Sequence, residues 1–156
     1  MHCIAYLHNN FLGIPTFEIK KWVGEVDENI KIHLVTSCSP TLINEDQYES
    51  VHYLDHCSDD ITYISEKLIE KYTISILVVH YETDMERVAK LREKYNIEGQ
   101  SYISAEAYRN KNVMKSLCLD NGIRVPKFKK FSHNRDFLVN IINDFEFPFV
   151  LKPVSG

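Results

Sequence analysis

The sequence predicts an α/β fold: a parallel sheet with flanking helices over residues 1–100, followed by a helix-strand-helix-strand segment over 101–156. Short apolar runs alternate with stretches of helical period from Cys3 to Tyr95, the signature of strands joined by crossover helices. Ile74–His80 (ISILVVH) is β-branched and apolar on both faces, which is the pattern of a strand buried in a parallel sheet. The texture then changes near Gly99, beyond which the chain becomes strongly helical and basic.

Each element has its own signal. Cys3–His8 is a short apolar strand, followed by a loop through Asn9, Asn10 and Gly13. Pro15 opens a helix with Phe17, Lys20, Lys21 and Val23 at turn spacing, since proline presets the first helical turn. Lys31–Thr36 and Ser50–Leu54 read as the second and third strands. Ser58-Asp59-Asp60 can cap a helix whose Ile61, Ile64, Leu68 and Ile69 share one face. Ile74–His80 is the fourth strand, and Thr83–Tyr95 a helix with Met85, Val88, Leu91 and Arg92 at helical spacing.

After Gly99, Ser104–Asn121 reads as one helix with an apolar stripe of Val113, Met114, Leu117 and Cys118, closed by Gly122. Lys127–Phe131 reads as extended, and Ser132 or Asn134 as the cap of a helix reaching Asp144. Phe149–Val154 (FVLKPV) reads as a last strand.

Composition narrows the class. Of 156 residues, 44% are apolar and 26% charged, an ordinary globular balance rather than a disordered or fibrous one. Apolar runs fall far short of the ~20 residues that a membrane helix requires, which predicts no membrane partner. Cys3, Cys38, Cys57 and Cys118 show no CxxC spacing and the start lacks a signal-peptide pattern. They are therefore expected to be reduced core cysteines of a cytoplasmic protein.

Charge is unevenly spread: residues 1–60 hold three Lys/Arg against ten Asp/Glu, whereas 109–135 hold eight Lys/Arg. That local field suits phosphate, on a nucleotide or a nucleic acid, although a solvated helix face looks the same.

Several chemistries are excluded. Dinucleotide turns and P-loops need clustered glycines so that backbone amides can approach phosphate. Gly13, Gly24, Gly99, Gly122 and Gly156 are all far apart. His52, His56 and Cys57 form the one tight group of metal-type ligands, but a strand through Val51–Leu54 separates them and paired zinc spacing is lacking. No metal site and no catalytic residue is assigned.

An ordered set of motifs remains. Leu91-Arg92-Glu93 precedes Gly99-Gln100-Ser101, then Arg109-Asn110-Lys111 with Met114, then Gly122-Ile123-Arg124-Val125-Pro126. Pro148-Phe149-Val150-Leu151-Lys152-Pro153 follows. This series resembles the junction in ATP-grasp ligases, where a Rossmann-like domain leads into the ATP-binding domain. Asn110 stands where the family commonly has Asp, and both side chains can cap a helix. The likeness is strongest over residues 75–156.

The resemblance implies a Rossmann-like first domain (1–100) and the start of a truncated ATP-grasp domain (101–156). It implies that Lys111 and Lys152 reach ATP phosphates. It also implies a parent enzyme that uses ATP and Mg²⁺ to activate a carboxylate as an acyl phosphate and join it to an amine. The loops after strands one and four would help hold substrate, which makes His8, Asn9, Asn10 and Glu82 candidates. The family's glycine-rich phosphate loop and its late acidic and Asn metal ligands do not occur in this sequence, so the chain alone is expected to be inactive and to hold no nucleotide tightly. A homodimer is compatible with this reading. The alternative is a non-catalytic α/β module that docks on a partner protein, or on nucleic acid, through the basic 109–135 segment, where Phe128 and Phe131 interleave with lysines.

Overall fold

The computed structural model describes residues 3–8, 19, 29–55, 58–131, 141 and 143–154. The chain forms two compact units, Met1–Ala105 and Glu106–Gly156. Pro15 and, apart from Ile19, its helix, together with the capping residues Ser132 and Asn134, lie outside the described residues.

The first unit is built on four parallel strands: β1 (Cys3–His8), β2 (Lys31–Thr36), β3 (Ser50–Tyr53) and β4 (Ile76–Val79), in the order β3-β2-β1-β4. Among the described residues, the helices α1 (Asp60–Tyr72) and α2 (Met85–Tyr95) cover this sheet. All six residues of β1 are buried, because it pairs on both edges and is covered on both faces. Side chains alternate across the sheet. Cys3, Ala5, Leu7 and Val35 pack with Ile61, Leu68 and Ile69 of α1 and with Val88 and Leu91 of α2. Ile4, Tyr6, Ile32 and Leu34 pack on the other face with Ile19, Cys38 and Ile43. Burying each such aliphatic side chain contributes about 1.5–3 kcal/mol before entropy is counted.

The strand with the plainest sequence signal proves to be peripheral. Ile74–His80 narrows to β4, Ile76–Val79, at an edge of the described sheet, with Leu77 buried but Ile76 43% exposed. Apolar, β-branched composition reports strand formation, whereas the number of pairing neighbours decides burial.

Helix ends follow local chemistry. Within the predicted capping run Ser58-Asp59-Asp60, the N-cap position of α1 is Asp59, whose side chain makes no capping bond, while the Ser58 hydroxyl accepts from the Asp60 amide at 3.0 Å. Thr83–Tyr95 divides into a 3₁₀ turn, Glu82–Asp84, and α2. Gly99 has φ +143°, and an added Cβ would lie 2.7 Å from the Arg92 Nε. Arg92 cannot swing away freely, because its Nη2 donates to the Leu77 carbonyl at 2.6 Å. The Gly-x-Ser turn therefore needs glycine for both conformation and space.

Beyond Gly99 the single predicted helix, Ser104–Asn121, is two: α3 (Tyr102–Arg109) and α4 (Lys111–Asp120). Asn110 breaks the run. It takes an extended conformation, and its side chain accepts from the amides of Asn112 and Val113, a standard N-cap. Gly122, at φ +72°, closes α4, and the Ile123 amide donates to the Cys118 carbonyl at 2.8 Å. That is a Schellman closure.

Two further expectations fail in this unit. Cys118, expected in the core, is only half-buried, and no residue of α4 is buried, Met114 and Leu117 being 38% and 42% exposed. Cys3 and Cys38, by contrast, are free and buried as expected. Phe149–Val154 is not a strand, and Lys127–Phe131, expected to be extended, is assigned to no strand either. A strand needs a partner ladder, and no strand is assigned among the described residues of this unit. Among the described residues no helix is long and apolar enough to cross a membrane.

Candidate functional site

Ligands of open parallel sheets bind beyond the carboxyl ends of the strands. In this chain that edge gathers polar and aromatic groups. His8 ends β1 and is almost wholly buried. Its Nδ1 is hydrogen-bonded to the hydroxyl of Thr36, the last residue of β2, at 2.8 Å. The Thr36 oxygen also accepts from the Cys38 amide at 3.0 Å, which fixes the loop leaving β2.

His80, just past β4, stacks on His8 with ring centroids 5.2 Å apart and 21° between planes. The Tyr6 hydroxyl is hydrogen-bonded to His80 Nδ1 at 2.9 Å. Burial pushes the His80 imidazole below its ordinary pKa, so it is neutral near pH 7 and can both donate and accept. A small pocket beside this cluster is walled by His8, Thr36, Ser37 and Asp84 over Leu7, Val35 and Ile61. Asp84 is buried, with Arg87 Nη1 at 3.3 Å.

Of the substrate-site residues expected from sequence, His8 is in this cluster. Glu82 is exposed, in the 3₁₀ turn after β4. Asn9 and Asn10 lie outside the described residues. Tyr6, Thr36, His80 and Asp84 were not anticipated. Their signal is position: polar side chains at the carboxyl ends of parallel strands.

In the second unit Lys111 is the first residue of α4, and its amide donates to the Val154 carbonyl at 2.9 Å. That bond ties the start of the helix to the segment that carries Lys152. Lys152 is exposed and lies outside any strand, where the sequence had placed it in one. Much of the remaining basic segment is engaged locally. Lys127 donates to the Asp144 carbonyl at 2.6 Å, Lys129 pairs with the Asp144 carboxylate, and Lys115 lies 4.9 Å from the Phe128 ring centroid. Phe131 packs on Phe145, which packs on Phe149. Among the described residues no three His, Cys, Asp or Glu side chains gather as a metal site would require.

No family model and no curated protein matches the chain. Solved structures do. An L-amino acid ligase from Bacillus licheniformis superposes with a TM-score of 0.79 at 21% identity, covering 100% of this chain and 38% of that one. The ADP complex of an N5-carboxyaminoimidazole ribonucleotide synthetase gives 0.70 at 17% identity, covering 99% and 38%. The synthetase of the same name from Thermotoga maritima gives 0.69 at 18%, covering 100% and 39%. The chain has the fold of the N-terminal region of ATP-grasp ligases. It spans under two-fifths of the length of each of these enzymes.

Proposed function

We propose that this chain is the front part of an ATP-grasp ligase that activates a carboxylate as an acyl phosphate and transfers the acyl group to an amine or similar nucleophile. The observation that carries this reading is a superposition covering the whole chain, both the sheet unit and the helical one, on an L-amino acid ligase at a TM-score of 0.79. The motif order at the junction supports it independently.

Lys111 and Lys152 are assigned to the ATP phosphates. The bond from the Lys111 amide to the Val154 carbonyl supports this pairing by joining the two segments that carry them. A charge-assisted contact from each ammonium to phosphate oxygen contributes about 1.5–3 kcal/mol. The strand-end loops that carry His8 and Glu82 are assigned to a small-molecule carboxylate or amine substrate; the recess beside His8, Thr36 and Asp84 has room for little more than one water. Neutral His80, bonded to Tyr6, holds the His8 ring by stacking. In such a ligase Mg²⁺ offsets charge on the phosphates during transfer. The described residues offer it no ligand set, so no step is assigned to it here. We propose that the chain by itself does not turn over ATP and is a cytoplasmic protein.

The test is nucleotide titration of the intact ligase at fixed Mg²⁺ and salt. Lys111→Ala and Lys152→Ala should each weaken ATP binding about tenfold or more, one decade being about 1.4 kcal/mol. Lys130→Ala should matter much less, because neither the motif match nor the Lys111–Val154 bond places Lys130 at the phosphates. Equal losses at all three would mean a diffuse basic patch and favour nucleic-acid binding. No loss at Lys152 would remove that assignment.

A further inference from the structure

A second cluster lies away from the strand ends just described, between β3 and α1. Ser50 and His52 of β3 form one wall. Ile64, Leu68 and Tyr72 of α1 form an apolar floor, and Lys67 and Lys71 stand at the rim of a cleft of about 140 Å³. That is close to the roughly 150 Å³ that accommodates benzene in an engineered cavity.

The polar wall is a three-membered chain. The Ser50 hydroxyl is 2.9 Å from His33 Nδ1 and 3.1 Å from His52 Nε2. A hydroxyl has one proton, so it cannot donate to both rings, and at least one of the two facing nitrogens carries a hydrogen. His33 is fully buried and stacked on Tyr72 at 4.2 Å, and its Nε2 has no hydrogen-bond partner. His33 lies behind this wall and anchors Ser50, while the Ser50 hydroxyl and the His52 imidazole line the cleft.

The rim is cationic in an unbalanced way. Lys67 pairs with Glu70 at 3.1 Å, and Lys31, next to His33, pairs with Glu49 at 2.7 Å. Lys71 has no carboxylate partner among the described residues; its ammonium sits 4.7 Å from the Tyr72 ring centroid. A positive charge held beside an apolar floor attracts an anion more strongly than one in open water.

We propose that this cleft binds a small monocarboxylate with an apolar body about the size of a benzene ring, its carboxylate between Lys71 and the Ser50–His52 wall. This site is distinct from the phosphate and substrate sites assigned above and does not depend on them. A ligand cation would face Lys67 and Lys71, and a neutral molecule would leave Lys71 unbalanced. Proton linkage follows. Burial, the larger cause, and the charge of Lys71 hold His52 below its ordinary pKa; His33 is held down chiefly by burial, with Glu49 opposing and His52, Lys31 and Lys71 adding. A bound carboxylate cancels the push of Lys71, so binding takes up protons and tightens as pH falls.

The experiment is a titration of the purified protein with benzoate and with its neutral isostere benzamide, followed by NMR of Ser50, His52 and Leu68. Saturable shifts are expected with benzoate. Affinity should be about tenfold weaker for benzamide, and about tenfold weaker for benzoate in Lys71→Gln, the loss expected of one charge-assisted contact. Lys67→Gln should lose less, because Lys67 already holds Glu70. Benzoate should bind more tightly below pH 6.5, where His33 and His52 begin to take up protons, than near pH 8. Lys71 is exposed, so its substitution leaves the core intact, and unchanged Ala5 and Leu34 resonances check this. Equal binding of benzamide, undiminished benzoate binding in Lys71→Gln, or shifts that gather at His8 and Thr36 instead would each overturn the proposal.

Discussion

In the first unit β1 buries all six of its residues, whereas in the second unit α4 buries none of its ten. Both segments carry an apolar pattern suited to their secondary structure. The difference lies in what they meet. β1 has a strand on either side and core clusters on both faces, while in the second unit Leu117, Ile123 and Val150 remain 42%, 56% and 77% exposed. Amphipathic spacing shows where apolar surface lies on an element. Only a partner removes that surface from water.

The sharpest way to break this comparison is to truncate one leucine in each unit. Leu34→Ala, at a fully buried position, should cost about 2–5 kcal/mol in chemical denaturation. Leu117→Ala should change stability by about 0.5 kcal/mol or less, as exposed substitutions do. Equal losses would mean that α4 is packed as tightly as the sheet. Hydrogen exchange sharpens the same contrast, with slow amides expected at Ile76–Val79 and fast ones at 150–152.

Asn110→Ala should cost about 1 kcal/mol by removing the bonds to the Asn112 and Val113 amides, while Asn110→Asp retains them. The readout is helicity and melting of the second unit. A null result would mean that the start of α4 is held by other contacts, such as the Lys111–Val154 bond.

The gentlest comparison is acid. His33, His52 and His80 are all held below their ordinary pKa by burial, so the unfolded chain binds more protons than the folded one just below the ordinary value of 6.5. Their contribution is complete above that pH and is lost as pH falls through it toward the folded values. First-unit stability should therefore decline from neutrality downward, and His33→Gln should flatten the slope. A slope unchanged by that substitution would remove His33 as a cause.

Much of the architecture was legible in the residues. Cys3–His8 and Lys31–Thr36 were readable to the residue, and Ser50–Leu54 to within one, because short β-branched runs between polar turns have few alternatives. Gly122 as a helix closure was readable for the same kind of local reason. The split of Ser104–Asn121 was missed, although Asn110, the residue that causes it, could be recognised as a cap. Helical periodicity continues across the break and hides it. Of the cluster at the strand ends, His8 could be singled out, but Thr36 and His80 are 28 and 72 positions away from it in the chain, and no local pattern links them.

The sequence by itself determined the alternation of strands and helices, the turn at Gly99, the cap at Asn110 and the order of the junction motifs. Each of these depends on backbone conformation and neighbours a few residues away. The tertiary structure decided that β1 is central and β4 lies at an edge, that Phe149–Val154 forms no strand, and that Tyr6, His8, Thr36 and His80 share one end of the sheet. Those outcomes depend on which strands pair. Pairing is a contest among distant segments for the same hydrogen bonds and the same buried surface, and no single stretch of sequence records its result.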